Sequence, residues 1–258
     1  MPQKLHRESL QDGQVVRLIL DAPKGNVLDA EMMSRLQVEL NELRTHSEVK
    51  LILFTGAGDH FSFGASVAEH TADKAAAMLT QFHALFHALA ELAVPTAALI
   101  SGQCLGGAME LVLMCNFVFV DRTARLGQPE IVLGVFPPPA SLLLPLKVGQ
   151  ARADEVILTG RALTADEAVA CGLATASFED RPSMEAGVDA WVAKHILPKS
   201  AMALRYAVRA SRWQFNHAIR TELNRLQEFY IGELMATHDA NEGIAAFLEK
   251  RTPVWQSR

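Results

Sequence analysis

Residues 101–115 read Ser101-Gly-Gln-Cys-Leu-Gly-Gly-Ala-Met-Glu-Leu-Val-Leu-Met-Cys115. A β-rich run, Thr96–Ser101, enters this stretch, small residues follow, and the apolar run Leu111–Cys115 continues with helical spacing. The pattern is a strand turning sharply into a helix, with Gly106 and Gly107 at the helix start. Backbone N–H groups are free there and the positive end of the helix dipole is near. A side chain at either glycine would obstruct a ligand approaching that backbone. Glu110 follows Gly107 by three positions, so the two share one side of the first turn. An N–H donor and a carboxylate can then converge on one bound molecule. Spacing alone fits equally well a tight turn in which Glu110 merely favours the helix start.

Working outward, short β-rich runs also occur at Val15–Leu20, Leu51–Thr55 and Phe117–Asp121. Helical periodicity lies between them. Met33, Leu36, Leu40 and Leu43 mark one face of a helix that Asp29 can cap, with Leu28 placed to staple onto Met33. Met78, Phe82, Leu85, Leu89 and Leu92 mark a second helix, closed by the Val94-Pro95 step. Thr164 and Glu167 form a capping-box pattern, with Gly172 as a stop. The alternation of strand and helix through about residue 180 predicts an α/β fold. Beyond Pro198 the β signal ends and residues 200–250 read as helix. The expected division is therefore an active-site core over 1–197 and a helical portion over 198–258, packed on the core or on another subunit.

Composition bounds the function. The 258-residue chain is 50% hydrophobic with a net charge of −5. That balance, without a long basic stretch, excludes nucleic acid as the expected partner. Three cysteines, none in a C-x-x-C spacing, suit a reducing cytoplasm rather than a disulfide framework. No apolar run reaches the about 20 residues needed to span a bilayer, and the polar N-terminus lacks a signal-peptide pattern. A cytoplasmic protein without membrane contact is expected.

Two further stretches can carry chemistry. In Leu126-Gly-Gln-Pro-Glu130-Ile-Val-Leu-Gly134, Glu130 precedes an apolar run. Such surroundings can raise a carboxyl pKa and suit a proton donor, although a surface-turn glutamate is the simpler reading of this stretch alone. In His60-Phe-Ser-Phe-Gly-Ala65-Ser, Gly64 and Ala65 can offer backbone N–H, or the segment is an ordinary loop with two buried phenylalanines. His83-x-x-x-His87 has metal-ligand spacing, but no third ligand accompanies it. Both are read as polar-face histidines beside the apolar stripe, and no metal site is expected. Cys104 has no partnered His or Asp pattern and is read as packing.

Taken together and in this order, the three stretches resemble the crotonase (enoyl-CoA hydratase/isomerase) superfamily, including the 20-residue step from Glu110 to Glu130. Lys24-Gly-Asn-Val-Leu-Asp29, Leu158-Thr-Gly-Arg-Ala-Leu-Thr-Ala165 and Ala246-Phe-Leu-Glu-Lys-Arg-Thr-Pro253 resemble its flanking segments. The resemblance implies a ββα spiral core with a helical C-terminal oligomerisation portion, assembled as a homotrimer or homohexamer. It implies an acyl-CoA substrate with coenzyme A as part of that substrate and no separate cofactor. The thioester oxygen would meet the N–H groups of Ala65 and Gly107, while Glu110 holds and deprotonates water and Glu130 delivers a proton. Substrate-contact candidates are Lys24, Phe63, Ser66, His70, Pro138 and Lys250, the last in its own or a neighbouring subunit.

Two segments depart from the general hydratase pattern. Ser66 stands where the family often has Asp, and Val135-Phe-Pro-Pro-Pro-Ala-Ser141 replaces a Pro-Gly-x-Gly-Gly-Thr run. Together they resemble a narrower group, the cyclohexa-1,5-diene-1-carbonyl-CoA hydratases of anaerobic benzoyl-CoA degradation. That resemblance implies a hydro-lyase forming 6-hydroxycyclohex-1-ene-1-carbonyl-CoA. The alternatives are a hydratase or isomerase for another acyl-CoA, or a non-catalytic RNA-binding homologue, against which the acidic balance and the intact glutamate pair argue.

Overall fold

Leu51-Ile-Leu-Phe-Thr-Gly56 is buried at every position, as a strand covered on both faces must be. In the computed structural model, which describes residues 3–258, this segment is an inner strand of the larger sheet. The strands are β1 (Leu5–Leu10), β2 (Val15–Leu20), β3 (Leu51–Gly56), β4 (Thr96–Ile100), β5 (Gln103–Leu105), β6 (Phe117–Asp121), β7 (Arg125–Gly127), β8 (Ala162–Thr164) and β9 (Ala176–Phe178). The helices are α1 (Ala30–Leu43), α2 (Ala75–Leu92), α3 (Gly107–Leu113), α4 (Pro138–Val148), α5 (Gln150–Thr159), α6 (Ala165–Ala170), α7 (Arg181–His195), α8 (Ala201–Ser211), α9 (Trp213–Gly232) and α10 (His238–Glu249). The six-stranded sheet has the order β1-β2-β3-β4-β6-β9, and a small sheet has the order β5-β7-β8. Only β1 in the large sheet runs antiparallel to its neighbour.

Side chains alternate across the large sheet as a two-residue period requires. Ile52 and Phe54 face the main core, beside Met32, Leu36 and Phe86. Leu51 and Leu53 face a second cluster, covered by Met184, Val188 and Val192 of α7. The main core continues into the C-terminal helices through Ile219, Leu223, Tyr230 and Ile244. Residues 198–258 thus bury part of the same apolar surface as the strands. Among the described residues, no helix is long and apolar enough to cross a membrane.

The four strands read from the sequence are β2, β3, β4 and β6, each within one residue of its expected end. Asp29 caps α1, accepting from the Met32 N–H at 3.0 Å, and both bonds of the Thr164–Glu167 capping box form. The second helix ends at Leu92 with Ala93 in the left-handed region, at φ +57°, two residues before Pro95. Strand β1 went unread because it is a partly exposed edge carrying polar side chains. One expectation is corrected: His83 is not on a polar face. It is buried, its Nδ1 lies 2.7 Å from Gln227 Oε1, and burial pushes its pKa down to about 4. A neutral imidazole serves there as a fixed contact between α2 and α9.

Candidate active site

Strand β5 brings the three chemical stretches together. On one side it pairs with β7 in the register Leu105↔Gly127, and the Gly106 N–H donates to Gly127 O at 2.8 Å. That pairing carries Gln128-Pro129-Glu130 alongside the start of α3. On its other side, the Ser62 N–H donates to Gln103 O at 3.0 Å and the Leu105 N–H to Ser62 O at 3.1 Å. Those bonds carry the 62–66 loop to the same place. A three-residue strand therefore closes sequence gaps that no local pattern can bridge.

Gly106 is the N-cap of α3 at φ +50°, where an L side chain is strained. A Cβ there would also stand 2.5 Å from Glu130 Oε1. A Cβ on Gly107 would stand 3.2 Å from Ala65 N, so these two backbone positions face one another. Neither the Ala65 nor the Gly107 N–H donates to another backbone group among the described residues. Two convergent free donors of this kind can receive an oxygen that gains negative charge.

Glu110 is buried one turn into α3, and its Oε1 accepts from the Ala140 N–H at 2.9 Å. Burial raises its pKa well above the ordinary carboxylate range, the Glu130 charge adds to that, and the Ala140 bond opposes it. Burial also raises the Glu130 pKa. As a residue Glu130 is half-buried, but its carboxyl faces the interior beside Gly106. Gln128, wholly buried, can aim its amide at Glu130 with N···O distances of 3.1 and 3.2 Å. The Glu130 charge opposes ionisation of Glu110, so the pair favours opposed protonation states.

The carboxyls open into a cavity walled by Ala65, Gly107, Phe82, Val135, Pro138 and Tyr230. Phe63 and His70 also line it. Phe63 is 43% exposed, so only Phe61 of the two loop phenylalanines is core. Burial lowers the His70 pKa, partly offset by its 2.8 Å bond to Ser66 O. Ser66 thus holds His70 without lining the cavity itself. Lys24 and Lys250 lie outside the lining. Cys104 is fully buried, and burial pushes its thiol well up, which leaves it a packing group. Among the described residues, no three metal-ligating side chains cluster.

The enoyl-CoA hydratase/isomerase family profile matches residues 11–258. The chain belongs to this family. Its fold is that of the crotonases: an enoyl-CoA hydratase structure from Mycobacterium avium subsp. paratuberculosis superposes with a TM-score of 0.83 at 28% identity, covering 99% of both chains. One from Bacillus halodurans reaches 0.87 at 20% identity, covering 95% of this chain and 100% of that one. Among curated relatives, the cyclohexa-1,5-dienecarbonyl-CoA hydratase of Thauera aromatica is 42% identical over 96% of this chain and 95% of its own length. A probable enoyl-CoA hydratase of Mycobacterium bovis is 34% identical over 96% of each chain.

Sequence reasoning passed over four contributors to this crotonase site: Phe82, Gln128, the Ala140 N–H and Tyr230. A signal existed for Ala140, because it supplies the first backbone N–H after Pro137-Pro138-Pro139. None existed for Tyr230, which arrives from α9, far along the chain.

Proposed function

We propose that this hydro-lyase of the enoyl-CoA hydratase type adds water to cyclohexa-1,5-diene-1-carbonyl-CoA, giving 6-hydroxycyclohex-1-ene-1-carbonyl-CoA, within anaerobic benzoyl-CoA degradation. The observation that carries the reading is the convergence of Glu110, Glu130 and two unpartnered N–H groups on one apolar cavity. Support for the ring substrate comes from the 42% identity to the Thauera aromatica enzyme and from the proline-rich wall that holds Glu110.

In this mechanism the thioester oxygen accepts from Ala65 and Gly107. Glu110 removes a proton from water as the oxygen bonds to ring carbon 2. The electron pair spreads over the thioester oxygen, carbon 1 and carbon 5. Glu130 gives its proton to carbon 5, and the remaining double bond settles between carbons 1 and 6. Losing one oxyanion donor costs on the order of 3 kcal/mol of barrier. Opposed protonation states in the pair let one carboxyl act as base and the other as acid. Coenzyme A enters only as part of the substrate. Lys24 and Lys250 are assigned to its nucleotide end, Lys250 from its own or a neighbouring subunit. Residues 198–258 are assigned to a homotrimer or homohexamer, which the exposed Met202, Tyr206 and Trp213 on α8 and α9 support.

A panel of CoA thioesters tests the substrate. The cyclic diene should be turned over in labelled water to a singly hydroxylated ring with one new C–H bond at carbon 5, para to the new hydroxyl. Rapid hydration of crotonyl-CoA with an inert cyclic diene would instead establish the second reading, a hydratase for linear acyl chains. The relatives named probable enoyl-CoA hydratases, such as the Mycobacterium bovis protein, favour that alternative.

A further inference from the structure

Tyr230 reaches the cavity from α9 and is 1% exposed. Phe136 packs edge-on against its ring, with centroids 5.4 Å apart, which restricts the ring's setting. Its hydroxyl is buried and has no hydrogen-bond partner among the described residues. A lone buried hydroxyl costs on the order of 1–3 kcal/mol, and phenylalanine would fill the same space without that cost. The group therefore needs a partner that arrives with the cavity's contents. Burial raises the phenol pKa, and the charges of Glu130 and Glu110 raise it further. The phenol consequently stays protonated and is a donor whenever the enzyme works.

The reacting oxygen lacks such a donor. The thioester oxygen already faces two backbone N–H groups. The attacking water gives a proton to Glu110, and a carboxylate can only accept. We propose that the Tyr230 hydroxyl donates a hydrogen bond to the reacting oxygen, first as water and then as the hydroxyl of the product. The bond orients a water lone pair toward the ring before addition. In the reverse direction it steadies the oxygen as its bond to carbon breaks. This assignment rests on the proposed hydration but not on the identity of the acyl group.

Tyr230→Phe tests it, because the ring and its packing are kept. Two quantities are compared: KM for 6-hydroxycyclohex-1-ene-1-carbonyl-CoA in the dehydration direction, and Ki for cyclohexanecarbonyl-CoA, which carries no hydroxyl. The variant should raise KM about tenfold, lower kcat in both directions and leave Ki within twofold of the parent enzyme. Parallel changes in KM and Ki would overturn the proposal, since a packing role affects both ligands alike. An unchanged KM with full kcat would also overturn it. If the parent enzyme does not act on the ring substrates, the same ratio is read with 3-hydroxybutyryl-CoA and butyryl-CoA. Failure of the ring assignment and failure of the tyrosine's role are thereby distinguished. Melting temperature confirms that the variant is folded.

Discussion

The Ala140 backbone N–H donates to Glu110 Oε1 at 2.9 Å, and the three prolines before it make this the first backbone donor of α4. Prolines at the start of a helix remove N–H groups that have no intrahelical partner. The remaining donor meets a buried carboxyl. A hydrogen bond to the charged form favours that form, so the bond opposes the rise in the Glu110 pKa. Ala140→Pro removes the donor while fitting the first turn. The alkaline shift should carry the acid limb of kcat/KM upward, and activity at neutral pH should fall about 10- to 100-fold, less than the roughly 10²- to 10⁴-fold expected for loss of a general base itself. Ala140→Gly keeps the N–H and should keep the limb where it is. A pH–rate profile of both variants decides the point.

Replacing either glutamate by its amide tests the division of labour. Glu110→Gln should lower kcat at least 10²- to 10⁴-fold, with Ki for a saturated CoA thioester changed less than threefold. Glu130→Gln should behave similarly in the hydration direction. Single-turnover assays and competitive inhibition separate chemistry from binding. Full activity in Glu110→Gln would remove it as the group that activates water.

The same carboxyls should make the fold less stable as pH rises. Both have raised pKa values in the folded chain, so near pH 5–8 the native state binds more protons than the unfolded state. Stability then falls as pH increases from the unfolded carboxyl range toward the folded values. Glu130→Gln cannot ionise at that position and should escape the Glu130 share of this loss, leaving the share that burial of Glu110 causes. Its melting temperature should exceed that of the parent at pH 8, and the gap should close near pH 5. A constant gap across that range would mean that Glu130 is not strained by burial.

Much of this arrangement is legible in the sequence. Inner strands such as Leu51–Gly56 are apolar throughout, and Asp29 and Thr164 announce their helices, because burial and capping leave local marks. Gly106-Gly107 and Glu110 were legible for the same reason, since a turn into a helix needs those residue types. The meeting of Glu110 with Glu130 was not deducible from spacing alone. It depends on β5 and β7, three residues each, too short to show a period. Tyr230 was invisible because only the packing of α9 against the core brings it to the cavity. Lys24 and Lys250 rest on flanking likeness alone, since they lie outside the cavity lining, where the nucleotide end of a CoA thioester would also lie.

The C-terminal helix also packs against the segment bearing Glu130 through a glycine. Gly243 of α10 sits so close to the segment bearing Glu130 that a Cβ there would stand 2.1 Å from Leu133 O and 2.9 Å from Trp255. Trp255 also approaches Gly134, where a Cβ would be 3.1 Å from its ring. Helix α10 and the tail after it therefore press on the turn Pro129–Leu133 that aims Glu130. The carbonyl is backbone and cannot rotate away, so Gly243→Ala must move α10 or the turn. Overpacking of this kind typically costs about 1–3 kcal/mol. The variant should melt several degrees lower and lose kcat through displacement of Glu130, whereas Trp255→Ala relieves the crowding and should recover part of both losses when combined with it. Trp255→Ala removes only the 2.9 Å contact and leaves the Leu133 carbonyl, so the recovery should be partial, and measuring the two single variants and the double variant shows whether the effects couple. Simple addition would mean that the two residues act on Glu130 separately.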